Sequence, residues 1–474
     1  MKGTIQMIAP KNFLARALLI ASVYVVLLAS IVTQQTVIGF GRAAQVAGRL
    51  KNQRGAIFTG TKVVGADEES VFTQSPNADL WVGSWSCSPV PALTQAPALP
   101  PGVKPPEGDS LFTIPPPVAN ATVRMIVRGT AGGDKIRIRV SNFYGKTPLQ
   151  VGAAHIALRE ADSGVKAGTD RTLTFSGQPS IAVSPGAIAL SDPVALSIPP
   201  NSDIAVSLFF PEAAPEKRTV HFDSVEDAYI VPGAATGQAR FDNARKAKWA
   251  YFLVGADVSG AANRGTIVAI GDSITDGGSR RWPALLAARL LAQKKNYGVL
   301  NQGIAGNRIL GQGEDDFSAV FGVNALARLE RDVFGQPNVK YLILYEGIND
   351  IGLPGAFGNP SPPVTPAQVI AGMRQVIARA REHGLVIYGA TLAPFEGTVL
   401  PGYYTPEKEV TRQAVNQWIR TTREFDGYFD FDKALQDPAH PPRLKPEYDS
   451  GDRLHPNDVG EKAMSEAIDL SRFK

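Results

Sequence analysis

The chain has 474 residues, with 48 Lys and Arg against 44 Asp and Glu and a formal net charge of +4. That length asks for two folded domains plus flanking segments at roughly 100–200 residues each, and so even a charge balance gives no signal of a nucleic-acid-binding protein. The single cysteine, Cys87, excludes an intramolecular disulfide and a typical structural zinc site, so it is expected to be a small core residue.

At the amino terminus, Lys2, Lys11 and Arg16 precede Ala17–Val32, which is apolar apart from Ser22, Tyr24 and Ser30. A basic start before such a run predicts an export segment over residues 1–35 and hence a periplasmic or extracellular protein. No small-x-small site follows at once, so cleavage and retention as a membrane anchor through residues 13–33 both stay open. Residues 36–77 are polar and irregular and read as a linker.

A β-domain is expected over residues 78–258. Trp81–Cys87 alternates large and small side chains, Pro89–Pro117 is too rich in proline for helix or central strand, and Thr122–Arg128 alternates again. Lys135–Val140 alternates most strictly, and the Ala131–Asp134 stretch between these last two runs reads as a hairpin turn. Further short strands are expected at Gln150–Leu158, Arg171–Phe175, Ala187–Leu190, Val194–Ile198, Asp203–Phe210 and Tyr229–Val231. Many short strands at this spacing predict an all-β sandwich or jelly-roll-like domain. His155 and His221 fall here without companions that would complete a metal set, and read as structural.

From residue 262 to 474 the rhythm is strand, helix, strand. Strands are expected at Thr266–Ile270, Gly298–Leu300, Val339–Leu344, Val386–Thr391 and Gly427–Phe431. Helices are expected at Trp282–Ala292, Asn324–Val333, Thr365–His383, Pro406–Thr422 and Pro456–Leu470, with a loop at Asp437–Asp452. Apolar strands alternating with helices predict a parallel sheet covered on both faces, an α/β architecture.

Ligands bind such sheets outside the carboxyl ends of the strands. Ser273 follows the first strand in Gly271-Asp-Ser-Ile-Thr-Asp276, Gly306 follows the second in Asn301–Asn307, and Asn349 follows the third in Gly347-Ile-Asn-Asp350. Asp452-Arg-Leu-His455-Pro456 precedes the last helix. A serine hydroxyl needs a base, for which His455 is suited near neutral pH. The imidazole needs a carboxylate to hold its tautomer, and Asp452, three residues earlier in a turn, can reach Nδ1. Backbone N–H groups at Ser273 and Gly306 and the Asn349 amide would supply three oxyanion donors. Taken singly, each piece also has a plain structural reading: helix cap, turn glycine, Asx turn.

In their joint order these four blocks resemble the SGNH, or GDSL-type, hydrolase family, over about residues 262–474. The resemblance implies a metal-free, cofactor-free serine esterase with a flavodoxin-like three-layer parallel sheet. It implies Ser273 as nucleophile, His455 as base, Asp452 as its partner, Ser273, Gly306 and Asn349 as the oxyanion hole, and Asp272 and Asp276 as structural residues. Arg281-Trp-Pro283, Gly303–Arg308, Glu346–Gly352 and Val140–Gly145 are similar to a bacterial subgroup of arylesterases and acylhydrolases with an amino-terminal β-domain. The expected substrate is a small-molecule or glycan ester with a short acyl group, such as an acetyl or aryl ester. No nucleic-acid partner is implied, and the pattern selects no oligomeric state. A lysophospholipase or thioesterase of the same mechanism, and a glycan-binding surface protein with an inactive hydrolase half, are the alternatives. Loop aromatics Phe357, Phe395, Tyr403 and Tyr404 either border the pocket or belong to ordinary surface loops.

Overall fold

The computed structural model describes residues 80–97, 108–312 and 318–474; the export segment expected at 1–35 and the linker at 36–77 lie outside them. No helix among the described residues is long and apolar enough to cross a membrane.

Residues 81–259 form antiparallel sheets. One has the order Trp81–Ser86, Leu253–Ser259, Gly133–Ser141, Val194–Ile198, with Ile188–Leu190 also on Gly133–Ser141. A second has the order Arg245–Ala247, Asp227–Pro232, Ala121–Gly129, Ser202–Phe210, Ala153–Leu158, Arg171–Leu173. Their inward residues, Val123, Met125 and Val127 from the second and Ile136, Ile138 and Val140 from the first, share one buried core. Cys87 is buried at its edge as a free thiol, and burial pushes its pKa up to about 12.

The strands flanking Ala131–Asp134 do not form the expected hairpin. Ala121–Gly129 pairs with Ser202–Phe210 and Asp227–Pro232, whereas Gly133–Ser141 pairs with Leu253–Ser259 and Val194–Ile198. The stretch is a corner between sheets. Gly132 is needed there for close approach, since a Cβ would lie 2.6 Å from the Ile198 carbonyl oxygen. Several observed strands were not expected: Val90–Pro91, Ile181–Val183, Thr219–Phe222, Arg245–Ala247, Trp249–Tyr251 and Leu253–Ser259. Thr219–Phe222 pairs with Val90–Pro91 and Trp249–Tyr251 in a small third sheet, and Leu253–Ser259 pairs with Trp81–Ser86.

Beyond Gly265 lies a parallel sheet in the order Tyr297–Gly303, Gly265–Gly271, Val339–Tyr345, Val386–Ala390, Tyr428–Phe429. In chain order this is 2-1-3-4-5, which reverses direction at the first strand and opens a crevice at its carboxyl end. The Pro366–Glu382 helix starts where the sequence asks, with Thr365 and Gln368 forming a capping box and proline in the first turn. Two expected elements are shorter. The strand at Gly427 is only Tyr428–Phe429 and runs into the Phe431–Leu435 helix, and the last helix is Asp458–Glu466, capped by Asn457. The loop expected at Asp437–Asp452 contains the His440–Leu444 strand, which pairs back on Gln436–Asp437.

The β-sheets close over the edge of the parallel sheet. Gly83 N–H donates to Thr266 Oγ1 (3.0 Å), and Val299 N–H donates to Thr130 Oγ1 (3.0 Å). An exposed edge strand is thereby covered, and the two halves share a buried, hydrogen-bonded seam.

Candidate active site

Gly271 ends the first strand of the parallel sheet, and the next residues fold back at once: the Asp272 carbonyl accepts from Thr275 N–H (3.0 Å) and Asp276 N–H (2.8 Å). Ser273 is left half-buried on the outside of this turn. Its Oγ lies 2.8 Å from His455 Nε2, and His455 Nδ1 lies 2.5 Å from Asp452 Oδ2. Asp452 Oδ1 accepts from the backbone N–H groups of Leu454 (3.0 Å) and His455 (2.8 Å) and from Ser450 Oγ (3.2 Å). Burial raises the Asp452 pKa, but hydrogen bonds and the charge of His455 outweigh it, so the carboxyl is held well below the usual range. The chain makes this clasp by placing Arg453 at φ 58, a conformation non-glycine residues rarely adopt.

Gly306 sits in the turn after the second strand with φ +74, in the region that favours glycine. Among the described residues neither the Ser273 nor the Gly306 N–H donates to a protein acceptor. Asn349, buried at the start of the Ile348–Gly352 helix, accepts from the Tyr403 hydroxyl through Oδ1 (2.8 Å), which leaves its Nδ2 without a partner. Asp350 Oδ2 and Oδ1 accept from Ile309 N–H (2.8 Å) and Leu310 N–H (2.9 Å), tying the loop after Gly306 to the helix that carries Asn349.

Ser273 and His455 open on a cavity of about 250 Å³. Its other walls come from both halves: Phe222, Trp249 and His221 from the β-sheets, and Asp276, Ile304 and Ala305 from the parallel-sheet half. The loop aromatics are elsewhere. Phe395 and Tyr403 are fully buried in the core of the α/β half, and none of Phe357, Phe395, Tyr403 or Tyr404 lines this cavity. Asp276, expected to be structural, lines the cavity and accepts from His221 Nε2 (2.7 Å). His221, Phe222 and Trp249 are the cavity residues that sequence reasoning missed, while Tyr403, expected at the pocket border or on a surface loop, is instead buried and holds Asn349. Among the described residues no cluster of three or more His, Cys, Asp or Glu side chains could hold a metal ion.

Beneath the Ser273 turn lies a buried polar layer. Arg328, 1% exposed, donates to the carbonyls of Gly271 (3.1 Å) and Gln302 (2.6 Å), to Asn307 Oδ1 (3.0 Å) and to Ser88 Oγ (2.9 Å). It so fixes the ends of two adjacent strands. Asp272 and Glu346 are buried here too, and burial pushes both pKa values up, that of Asp272 to about 7.

The segment 269–463 matches the model of the GDSL-like lipase/acylhydrolase family. No curated protein sequence matches the chain. Among solved structures the chain is similar to a catalytic variant of an acetylxylan esterase from Geobacillus stearothermophilus, at 22% identity over 43% of this chain and 91% of that one, with a TM-score of 0.32. It is also similar to a GDSL-like lipase from Bacteroides thetaiotaomicron, at 16% identity over 43% and 85% of the two chains, with a TM-score of 0.32.

Proposed function

We propose that the chain, whose residues 269–463 match the GDSL-like lipase/acylhydrolase family model, is a carboxylic ester hydrolase, and within that class a serine esterase of short-chain esters. Ser273 Oγ attacks the ester carbonyl while His455 Nε2 takes its proton. Asp452 holds the Nδ1 proton and stabilises the imidazolium. The oxyanion is received by Ser273 N–H, Gly306 N–H and Asn349 Nδ2. His455 returns its proton to the departing alcohol, then takes one from water as water attacks the acyl-enzyme and gives it back to Ser273 Oγ as that bond breaks and the carboxylic acid leaves. The observation that carries this reading is the unbroken hydrogen-bonded run from Ser273 to Asp452, beside an Asn349 Nδ2 left unpaired.

The cavity supports a small substrate. At about 250 Å³ it lies below the ~300–1,000 Å³ of ordinary small-molecule pockets. The oxygen of the leaving alcohol must reach His455, which lines the cavity, so Phe222 and Trp249 would face the alcohol and favour one with a flat apolar face, aryl or pyranose. The order 2-1-3-4-5 supports a flavodoxin-like, three-layer hydrolase domain at residues 262–474, and the common core of the two antiparallel sheets supports a sandwich-like accessory domain at 78–258. Export, with a membrane tether where residues 13–33 are retained, rests on the apolar amino-terminal run.

The test is turnover of an activated acetyl ester. Ser273→Ala is expected to lower kcat by about 10⁴–10⁶. Full activity in that variant sinks the reading. Within a series of acyl lengths on one alcohol, kcat/KM is expected to be highest at acetyl or propionyl; a preference for long chains contradicts the short-acyl assignment.

A further inference from the structure

His221 stands on the Thr219–Phe222 strand of the β-domain, far from the nucleophile in sequence, yet lines the same cavity as Ser273. Its imidazole is buried, with a side-chain exposure of 3%. Nδ1 meets the Ser88 carbonyl, and Nε2 lies 2.7 Å from Asp276 Oδ1. A carbonyl can only accept, and an ionised carboxylate can only accept, so the ring must carry a proton on each nitrogen to satisfy both. Burial opposes the charge, but Asp276 and the Ser88 carbonyl outweigh it and shift the His221 pKa upward.

The other oxygen of Asp276 has a separate task. Oδ2 accepts from Ala305 N–H at 2.9 Å, one residue before Gly306. The same turn is stitched to the nucleophile turn by Asn301, whose Nδ2 donates to the Thr275 carbonyl (2.6 Å) and whose Oδ1 accepts from Gly303 N–H (2.9 Å). A single carboxylate therefore joins a β-domain histidine to the turn that presents the Gly306 N–H.

We propose that His221 is a positioning residue of the esterase: through Asp276 it clamps the Ala305–Gly306 turn, so that the β-domain completes the oxyanion site of the other half. The seam beside it is built to hold this register. Ser88, which supplies the carbonyl for His221, also donates through Oγ to Gln302 Oε1 (2.6 Å) and accepts from Arg328 (2.9 Å), all three side chains being buried. Small displacements of a preorganised donor cost much in rate, on the order of 10²-fold for about 1 Å.

This inference rests on the serine-esterase reading, and the experiment separates the two. Phenyl acetate hydrolysis by the intact chain is measured for wild type, His221→Leu, His221→Gln, Asp276→Ala and the Leu/Ala double variant, with thermal melts of each. A Ser273-independent wild-type activity would fail the esterase reading itself. Given Ser273-dependent turnover, His221→Leu and Asp276→Ala are each expected to lose about 10–100-fold in kcat with KM changed less than about threefold, and the double variant to be no worse than either single one. His221→Gln keeps an N–H for Asp276 and is expected to stay within about fivefold of wild type. Should His221→Leu fail to fold, Asp276→Ala against His221→Gln decides alone. Wild-type kcat in Asp276→Ala, additive losses in the double variant, or equal losses in Gln and Leu overturn the proposal.

Discussion

Asn349 is held by one hydrogen bond that its own role does not require. The Tyr403 hydroxyl donates to Oδ1, and this fixes which end of the amide is left to donate. Tyr403→Phe keeps the ring and its packing but frees the amide to turn. It is expected to cost about tenfold in kcat with little change in KM, less than the ~10²–10³ expected of Asn349→Ala. Steady-state kinetics of the two variants check the order; a Tyr403→Phe enzyme at full kcat contradicts it. Asp272 makes a second prediction, in stability. Its Oδ1 accepts from Ile274 N–H (2.9 Å), its Oδ2 has no partner, and burial lifts its pKa to about 7. A carboxyl raised above its unfolded value near ~3.9 favours the fold while neutral, by about 1.4 kcal/mol for every pH unit that separates the two values. That contribution is complete below about pH 4 and is lost as pH rises through about 7. Urea unfolding at pH 5 and pH 8 is expected to show a larger fall in wild type than in Asp272→Asn; parallel curves contradict it.

At the scale of elements, the central feature is a strand end packed against a foreign backbone. A Cβ on Gly298 would lie 1.8 Å from the Gly83 carbonyl oxygen, backbone that a side-chain rotation cannot clear. Gly298→Ala is expected to destabilise by about 3 kcal/mol, at the upper end of overpacking costs. Denaturant midpoints of wild type and variant check it. The same seam explains what the sequence could and could not reveal. Ser273 and the Asp452–His455 clasp were legible because each lies in a short local pattern, a strand broken by a turn and a carboxylate three residues before an imidazole. The long helices were legible from caps and period, as at Thr365 and Gln368. His221 was not, because its partners Asp276 and Ser88 are 55 and 133 residues away and a buried histidine on a four-residue strand carries no local signal of them. The false hairpin at Ala131–Asp134 has the same origin. Two glycines between alternating runs signal a turn equally well when the chain is leaving one sheet for another.

For the whole molecule, the polar seam makes the two halves one structural unit. Ser88 from one half is hydrogen-bonded to Arg328 and Gln302 from the other, all three buried, and separating the halves would leave these polar groups to be rehydrated or stranded. Residues 80–474 are therefore expected to unfold in one cooperative transition, with coincident fluorescence and circular-dichroism curves in urea. Two separated transitions would contradict a shared unit. The cavity follows the same logic, with Ser273 from one half and apolar walls from the other, so the proposed esterase reading assigns substrate choice to the assembled chain. The central claim, an activated Ser273, is tested most directly by intact-mass spectrometry and peptide mapping after exposure to a fluorophosphonate. The account predicts a single adduct on Ser273, absent in Ser273→Ala and much slowed in His455→Ala. No adduct on the folded wild-type chain, or an adduct on another serine, would contradict it.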